Sequence, residues 1–310
     1  MTLGYDKPLY LMAFDHRGSF EHDLFGASAP VSAQVRDGII KVKEIIFEAH
    51  VRALTEDAPR DVCGVLVDEE FGAGVARRAK AERIPLAMPV EKSGLEEFEF
   101  QYGDDFGAHI EAFDPTFSKV LVRYNPEGDG ALNARQTERL ARLSDWLHER
   151  DRKFLFELLV PATKDQLDRF GGDQRAYDRE LRPDLVVATI AALQRGSVEP
   201  DIWKIEGLDT TAACEQVVAQ AQVESRDTVK CIVLGRGADE QQVIQWVKIG
   251  AAVDGFDGFA VGRTLWEEAL RKYLAGEASA AEAVYDISSR YRDVIDAYRH
   301  AEPAFLRGRE

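Results

Sequence analysis

The sequence predicts an α/β fold, a single-domain (β/α)8 barrel (TIM barrel) over residues 1–310 with an extra C-terminal helix. Eight short apolar runs alternate with segments of helical spacing, which is the pattern of parallel strands joined by helices. The length of 310 residues fits one such barrel, which commonly takes roughly 250 residues. An open doubly wound sheet is the alternative, but the first turn lacks the glycine-rich fingerprint of that fold.

The predicted strands are apolar runs that end in polar residues or glycine, as expected of strands buried on both faces. The first runs through residues 9–14, for example, and Asp15 follows it. In chain order the predicted strands are residues 9–14, 62–67, 84–88, 117–122, a fifth that begins with 153–156, a sixth within 201–207, then 231–234 and 258–261.

Helical spacing of apolar residues fills the segments between these strands. In residues 133–152, Leu140, Leu143 and Leu147 fall on one side of a helix. The other predicted helices are residues 31–54, 73–82, a stretch interrupted at Gly103 that ends near 113, then 185–194, 211–223, 240–253 and 280–301. Residues 164–184 are polar and predicted to be irregular. The last helix could cover a barrel end or pair with another subunit, so a homo-oligomer is left open.

The composition limits the kind of partner and the compartment. The net charge is −16, from 39 basic and 55 acidic residues, which argues against a nucleic-acid or anionic-membrane partner. The cysteines, Cys63, Cys214 and Cys231, have neither metal-ligand spacing nor the pattern of a disulfide framework. No signal peptide is visible at the N-terminus, and no apolar run reaches membrane-spanning length. We therefore expect a cytoplasmic protein.

Polar residues collect where the predicted strands end. The carboxyl ends of the strands meet on one face of a (β/α)8 barrel, and active sites lie there. Each residue alone could be a cap, a turn residue or a surface charge, but their joint placement indicates an active site. They are Asp15, Asp68, Glu69, Glu91, Lys92, Arg123, Asn125, Glu157, Lys204, Arg236 and Arg263.

Lys204 stands in the middle of the predicted sixth strand, between Trp203 and Ile205. A buried amine is costly to charge, and a neutral amine can attack a carbonyl, so Lys204 is a candidate Schiff-base lysine. Period-two alternation would place Lys204 and Glu157 on the inward faces of neighbouring strands, with Lys119 nearby. Glu157 could then carry a proton to or from Lys204. The alternatives are a strand-end lysine that reaches solvent, or a buried Lys–Glu–Lys network that only supports the barrel.

Two glycine–arginine turns follow the predicted seventh and eighth strands, Gly235-Arg236-Gly237 and Gly262-Arg263. Many barrels bind phosphate after these two strands. Glycine lets backbone N–H groups approach phosphate oxygens, and arginine adds a forked, charge-assisted contact. Such turns also occur for structural reasons, but two of them at these positions favour a phosphate site.

The histidines do not predict a metal site. Of the six histidines only His16 lies at a predicted strand end, and zinc needs several converging ligands. The acidic run at residues 68–70 could hold magnesium together with Asp15, which is a minor alternative. We expect no metal and no cofactor, because a lysine Schiff base would itself accept the electrons of a breaking bond.

Motifs at the predicted strand ends stand in one order and cover nearly the whole chain. They are Ala13-Phe-Asp-His-Arg-Gly-Ser19, Val67-Asp-Glu-Glu-Phe-Gly72, Pro89-Val-Glu-Lys-Ser-Gly94, Lys119-Val-Leu-Val-Arg-Tyr-Asn-Pro-Glu-Gly-Asp129, Phe156-Glu-Leu-Leu-Val-Pro161, Trp203-Lys-Ile-Glu-Gly207, Leu234-Gly-Arg-Gly237 and Gly258-Phe-Ala-Val-Gly-Arg-Thr264. Together they resemble the 2-deoxy-5-keto-gluconate 6-phosphate aldolase domain that is fused to bacterial 5-dehydro-2-deoxygluconokinases. That domain is similar to the class I tagatose 1,6-bisphosphate aldolases. No kinase half is part of this sequence, so a free-standing form is expected.

The resemblance implies roles for particular residues. It implies a Schiff-base lysine at Lys204, an active-site carboxylate at Glu157, a second lysine at Lys119, and Asp15 at the end of the first strand. His16 departs from the tagatose enzymes, in which a glutamine usually follows that aspartate, so their activity is not carried over to this chain.

The implied reaction belongs to myo-inositol catabolism. Lys204 would condense with the C5 ketone of a phosphorylated keto-sugar acid, and the C3–C4 bond would break to give dihydroxyacetone phosphate and malonate semialdehyde. Glu157 and Asp15 could each be the base, and the residues alone do not separate them. The carboxylate that ends up in malonate semialdehyde has three candidate partners, Arg123, Lys92 and His16.

Two other functions stay open from the sequence. One is a class I aldolase for another ketose phosphate, such as tagatose 1,6-bisphosphate or a sulfosugar phosphate. The other is a phosphosugar-binding barrel without turnover, against which the predicted Lys204–Glu157 pair argues.

Overall fold

The computed structural model describes residues 3–303, and its eight strands close into one parallel barrel in chain order. This confirms the predicted (β/α)8 barrel. Mostly apolar runs form the strands, because each strand is covered by the barrel interior on one face and by helices on the other. The strands are β1 (Leu9–Ala13), β2 (Cys63–Leu66), β3 (Leu86–Pro89), β4 (Phe117–Arg123), β5 (Lys153–Leu159), β6 (Ile202–Glu206), β7 (Lys230–Leu234) and β8 (Phe256–Val261).

Helices connect the strands and form the outer layer. They are α1 (Ala33–Thr55), α2 (Glu69–Ala81), α3 (Phe106–Phe113), α4 (Gly130–His148), α5 (Lys164–Arg169), α6 (Gln174–Glu180), α7 (Arg182–Arg195), α8 (Thr211–Ala221), α9 (Glu240–Ala251), α10 (Arg263–Leu274) and α11 (Ala280–Ala301). Across residues 3–303, none of these helices combines the length and apolar character needed to cross a membrane.

Two regions differ from the sequence prediction. Residues 164–184, predicted to be irregular, contain the short helices α5 and α6. A capping box between Thr163 and Gln166 begins α5, and the Asp173 side chain caps α6. Helix α10 was not predicted at all, although Leu265, Trp266 and the residues at 269–270 give it a buried apolar face.

The last two helices occupy different places around the barrel. Helix α11 packs against α1, α9 and α10. Its Tyr291 hydroxyl donates to the Tyr10 carbonyl of β1, and its Tyr298 hydroxyl donates to the Phe256 carbonyl of β8. Helix α11 therefore covers the outer side of the β8–β1 junction, whereas α10 starts directly at the carboxyl end of β8.

The barrel interior changes from apolar to ionic toward the carboxyl ends of the strands. An apolar cluster fills its amino-terminal part, and it consists of Leu9, Leu11, Ala13, Leu66, Ala87, Phe117, Leu155, Ile202, Ile232 and Ala260. Further along the same inward faces stand Lys119, Glu157 and Lys204, all buried. The register sets Glu157 directly beside Lys204. The inward placement expected from period-two alternation is thus confirmed.

His50 is a buried histidine in the outer core, between the rings of Phe47 and Tyr291. Neither ring nitrogen has a hydrogen-bond partner among the described residues. Burial lowers the pKa of His50 from 6.5 to about 3, and the charge of Arg60 adds to this effect. The unfolded chain therefore takes up a proton in this interval before the folded protein does, so acid favours unfolding.

We predict that His50→Leu reduces the loss of stability in acid. The free energy of unfolding should match or exceed that of the original protein at pH 7.5, because two unpaired polar atoms are removed. As the pH falls from 6.5 toward 4.5, the free energy of unfolding of the variant should rise relative to that of the original protein. The increase should be at most about 1.4 kcal/mol per pH unit.

Urea unfolding between pH 4.5 and 8 measures this difference. The control is His22→Leu, which alters an exposed histidine. Its free energy of unfolding, plotted against pH, should run parallel to that of the original protein. If the free energy of unfolding of His50→Leu also ran parallel to that of the original protein, His50 would not contribute to the loss of stability in acid.

Candidate active site

A cavity of about 420 Å³ opens at the carboxyl ends of the strands. Each residue to which the sequence gives a catalytic or binding role lines this cavity: Asp15, His16, Lys92, Lys119, Arg123, Glu157, Lys204, Gly235, Arg236, Gly237, Gly262 and Arg263. The structure therefore brings these residues together, while the role of each one stays a prediction. Asp68, Glu69 and Asn125, which the sequence groups with them at the strand ends, are not part of the cavity lining.

Lys119 on β4 lies at the centre of the ionic group on the cavity floor. Its Nζ is 2.8 Å from Asp15 Oδ2, 2.8 Å from Glu91 Oε1 and 3.0 Å from Glu157 Oε2. These carboxylates come from the ends of β1, β3 and β5. An ammonium group has three N–H donors, and three carboxylate oxygens surround this one. Lys119 is only 1% exposed.

The protonation states follow from this arrangement. Burial opposes the charge of Lys119, but attraction to Asp15, Glu157 and Glu91 outweighs burial and raises the pKa of Lys119 well above its usual range. Burial likewise opposes the charge of Glu157, yet Lys119 and Lys204 hold the pKa of Glu157 below its ordinary value. The pKa of Asp15 is also lowered, because Lys119 and His16 outweigh the cost of its burial. Lys119 is therefore a fixed cation between carboxylates.

Lys204 is paired more sparsely than Lys119. It is 2% exposed, and its Nζ is 3.0 Å from Glu157 Oε1. Within the described part of the chain, Glu157 is its only carboxylate partner within 4 Å. Glu157 thus bridges the two lysines, with one oxygen on each. This is the Lys–Glu–Lys arrangement expected from the sequence.

Lys43 on α1 holds the backbone around Asp15 from behind. Its Nζ donates to the carbonyls of Phe14 and His16, at 2.7 and 3.0 Å, and to the Asp68 carboxylate. Asp68 also caps α2 by accepting from the Phe71 N–H. Asp68 is thus engaged by Lys43 rather than joined to Asp15, which argues against the magnesium alternative. In residues 3–303, no three His, Cys, Asp or Glu side chains form a group suited to a metal ion.

His16 lines the cavity beside Asp15. Its Nδ1 is 3.9 Å from Asp15 Oδ1. The protein atoms packed around the ring lower the pKa of His16 to about 4, although the charge of Asp15 opposes this shift. His16 is therefore neutral near pH 7 and can offer a hydrogen bond but no positive charge.

The two arginines of the glycine–arginine turns differ in their partners. Arg236 has a left-handed backbone (φ 52°), and its guanidinium contacts Asp178 at 2.6 Å and Glu206 at 2.9 Å. Arg263 has no carboxylate within 4 Å among residues 3–303. Its guanidinium lies against Gly237 (φ 69°), where any side chain would overlap it. Arg263 is also the first residue of α10, so an uncompensated cation and a helix N-terminus share one edge of the cavity.

The opposite edge of the cavity consists of the loop after β3 together with Arg123. Lys92 is exposed in that loop. The Arg123 guanidinium donates to the Leu95 carbonyl at 3.0 Å and lies 3.8 Å from the Glu96 carboxylate. The loop folds back on itself through a bridge between Glu91 and Phe100. The two cations at this edge are thus carried by separate elements.

Two residues on the cavity wall received no role from the sequence. Glu91 was recognised only as one of many polar residues at strand ends, yet it is a direct partner of Lys119. Arg17 donates to the Glu91 carbonyl at 2.8 Å and is buried. The signal for Arg17 was its position two residues after Asp15. The signal for Glu91 was its position just after the third predicted strand.

Fold and site together define a (β/α)8 barrel with a lysine–carboxylate cluster at the carboxyl ends of its strands. The chain belongs to the family described as an uncharacterized protein conserved in bacteria (DUF2090), whose model matches residues 4–302. No curated protein gives a significant sequence match.

Solved structures share this fold at low sequence identity. A fructose-bisphosphate aldolase from Plasmodium falciparum has a TM-score of 0.67 at 12% identity, covering 98% of this chain and 99% of its own. A Schiff-base-forming fructose-1,6-bisphosphate aldolase has a TM-score of 0.55 at 17% identity, covering 90% and 94%. Cgl0159 from Corynebacterium glutamicum has a TM-score of 0.60 at 17% identity, covering 94% and 88%. These likenesses establish the fold.

We predict that the two buried lysines differ in their contribution to stability. Lys119→Met should lower the free energy of unfolding by about 3–5 kcal/mol, because it leaves three buried carboxylates without their shared cation. Lys204→Met should lower the free energy of unfolding much less, because Glu157 keeps Lys119 as its partner. Urea unfolding of both variants at pH 7.5 makes the comparison, and equal losses would refute the central position of Lys119.

Proposed function

We propose that this protein is a class I aldolase that forms a Schiff base between Lys204 and a phosphorylated keto-sugar acid. The observation that carries the proposal is the unequal pairing of the two buried lysines. Three carboxylates surround Lys119, whereas one lies beside Lys204, within the residues described. A lysine held by one carboxylate can pass its proton to that neighbour and attack a carbonyl, but one held by three stays charged.

Glu157 would take part in imine formation, since one of its oxygens is 3.0 Å from Lys204 Nζ. The iminium on Lys204 would then accept the electrons of the carbon–carbon bond that breaks. Lys119 would remain an ammonium ion and stabilise negative charge that develops on oxygen nearby. Water would finally hydrolyse the protonated enamine and release Lys204.

The substrate proposed is 2-deoxy-5-keto-gluconate 6-phosphate, cleaved to dihydroxyacetone phosphate and malonate semialdehyde. The ordered motifs at the strand ends support this choice. One fold neighbour, a Schiff-base-forming fructose-1,6-bisphosphate aldolase, supports the reaction class. A different ketose phosphate is the competing substrate, and a substrate panel decides between them.

The two edges of the cavity suit the two charged ends of this substrate. Arg263, the amides of residues 235–237 and the N-terminus of α10 would hold the phosphate. Lys92 and Arg123 would face the carboxylate at the other edge. His16, neutral near pH 7 because of its pKa of about 4, would supply a hydrogen bond there.

Borohydride trapping tests the covalent step. Incubation with dihydroxyacetone phosphate and borohydride should inactivate the protein and add the reduced adduct to the peptide that contains Lys204. Trapping should weaken as the pH falls, because only the free amine reacts. Mass spectrometry of the digested protein locates the adduct.

Two variants serve as references for the trapping experiment. Lys204→Met should give no adduct, whereas Lys248→Met, at an exposed position on α9, should trap like the original protein. An adduct on Lys119 or Lys92 would reassign the nucleophile. Turnover without any adduct would rule out the Schiff-base mechanism.

Arginine substitutions test the phosphate edge. Arg263→Ala should raise KM for the phosphorylated substrate by about 10- to 100-fold, because a charge-assisted contact is typically worth roughly 1.5–3 kcal/mol. Arg236→Ala should have a smaller effect, because Asp178 and Glu206 already compensate its charge. Comparing each substrate with its unphosphorylated analogue isolates the phosphate contribution. Equal losses for both analogues would assign these arginines to the fold or to another part of the substrate.

A further inference from the structure

Glu91 lines the cavity and has one carboxylate oxygen without a hydrogen-bond partner among residues 3–303. The residue stands two positions after the end of β3 and is 6% exposed. Its Oε1 accepts from Lys119 Nζ at 2.8 Å, but its Oε2 is buried without a hydrogen-bond donor among residues 3–303. A buried carboxylate oxygen without a donor costs free energy, so such an atom is rare unless a ligand or the chemistry uses it.

The backbone around Glu91 is held firmly. Arg17 Nη2 donates to its carbonyl at 2.8 Å, and its bridge with Phe100 closes the loop behind it. Lys119 fixes one carboxylate oxygen from the side. The unpaired Oε2 is therefore presented from a rigid position rather than from a mobile loop.

The other two carboxylates of the cluster differ in how many of their oxygens a lysine holds. Both oxygens of Glu157 lie 3.0 Å from lysine nitrogens. Asp15 has one oxygen on Lys119 at 2.8 Å and the other 3.9 Å from His16 Nδ1. Glu91 and Asp15 thus each keep one oxygen that no lysine holds, and the unpaired oxygen of Glu91 is the one enclosed by protein atoms.

The placement of Glu91 fits one step of an aldol cleavage. It shares the cavity with Lys204 but is not within 4 Å of its Nζ. In a Schiff base on Lys204, the hydroxyl that loses its proton stands two carbons beyond the imine carbon, so its base must stand away from the nitrogen.

We propose that Glu91 is the base that removes the proton from the β-hydroxyl of the substrate bound to Lys204, an inference that rests on the proposed function. The O–H bond breaks and its proton moves to Glu91 Oε2. The electron pair left on oxygen forms the C3=O bond of the aldehyde. The C3–C4 pair moves into the C4=C5 bond, and the iminium π pair settles on the Lys204 nitrogen to give the enamine. The proton on Glu91 then passes to C4 of the enamine or to water.

The acidity of the cluster agrees with this assignment. Burial raises the pKa of Glu91, although Lys119 and Arg17 oppose the shift, while the pKa values of Asp15 and Glu157 are lowered. A base works best when its conjugate acid has a pKa near the working pH. The pKa of Glu91 is shifted from its ordinary value in that direction.

Glu91→Gln tests the proposal, because the amide keeps the size of the side chain but cannot accept the proton. The kcat for cleavage should fall by roughly 10²- to 10⁴-fold. Borohydride trapping of dihydroxyacetone phosphate at Lys204 should stay within about threefold of the original rate, because that ligand has no β-hydroxyl to deprotonate. The matched control is Glu99→Gln, an exposed position in the same loop, which should leave both rates unchanged.

The outcomes separate this inference from the proposed function. If the original protein forms no adduct, the Schiff-base function itself fails. If it traps and cleaves, and Glu91→Gln cleaves at the original rate, only the role of Glu91 is overturned. Loss of trapping together with cleavage would show that Glu91 serves Lys119 or the fold, which also overturns the proposal.

Glu91→Asp covers the case in which the glutamine variant does not fold. It keeps the charge but withdraws the carboxylate by one methylene. Trapping should persist, and kcat should fall by about tenfold or more, since misplacing a base weakens proton transfer. Cleavage at the original rate in Glu91→Asp would count against Glu91 as the base.

Discussion

The ammonium group of Lys119 is the interaction on which the floor of the cavity depends. It neutralises carboxylates that arrive from β1, β3 and β5, which would otherwise repel one another in a buried place. One of those carboxylates, Glu157, reaches on to Lys204. A permanently charged lysine thereby allows a second lysine to have a single acidic neighbour. The two lysine side chains are chemically identical, and their different neighbours give them different properties.

Much of the fold and part of the site could be predicted from local patterns. Apolar runs of strand length and the helical spacing between them were enough for the barrel, because both periodicities are properties of adjacent residues. The meeting of Lys204 with Glu157 followed from alternation on two neighbouring parallel strands. Leu265 and Trp266 begin the helical apolar stripe of α10, but the glycine–arginine pair before them also fits a turn after the eighth strand.

The rest of the site depends on contacts between distant segments. Glu91 reaches Lys119 only because its loop folds back and Arg17 fixes its carbonyl, and neither contact has a local sequence signal. Arg236 and Arg263 stand in similar glycine-rich turns and are indistinguishable by motif. Asp178, on a helix 58 residues before Arg236 in the chain, makes the difference between them. Pairing of this kind is set by the packing of the crossovers.

Helix α10 connects the edge of the cavity at Arg263 with the end of β1. Its first residue, Arg263, stands at the proposed phosphate position, and one turn later the Trp266 indole donates to the Ala13 carbonyl at 2.9 Å. Ala13 is two residues from Asp15. The helix thus joins the proposed phosphate position to the backbone beside Asp15 at the end of β1. Substitution of Trp266 would consequently change substrate affinity and the alignment of the reacting bond together. Neither property could be altered alone from that position.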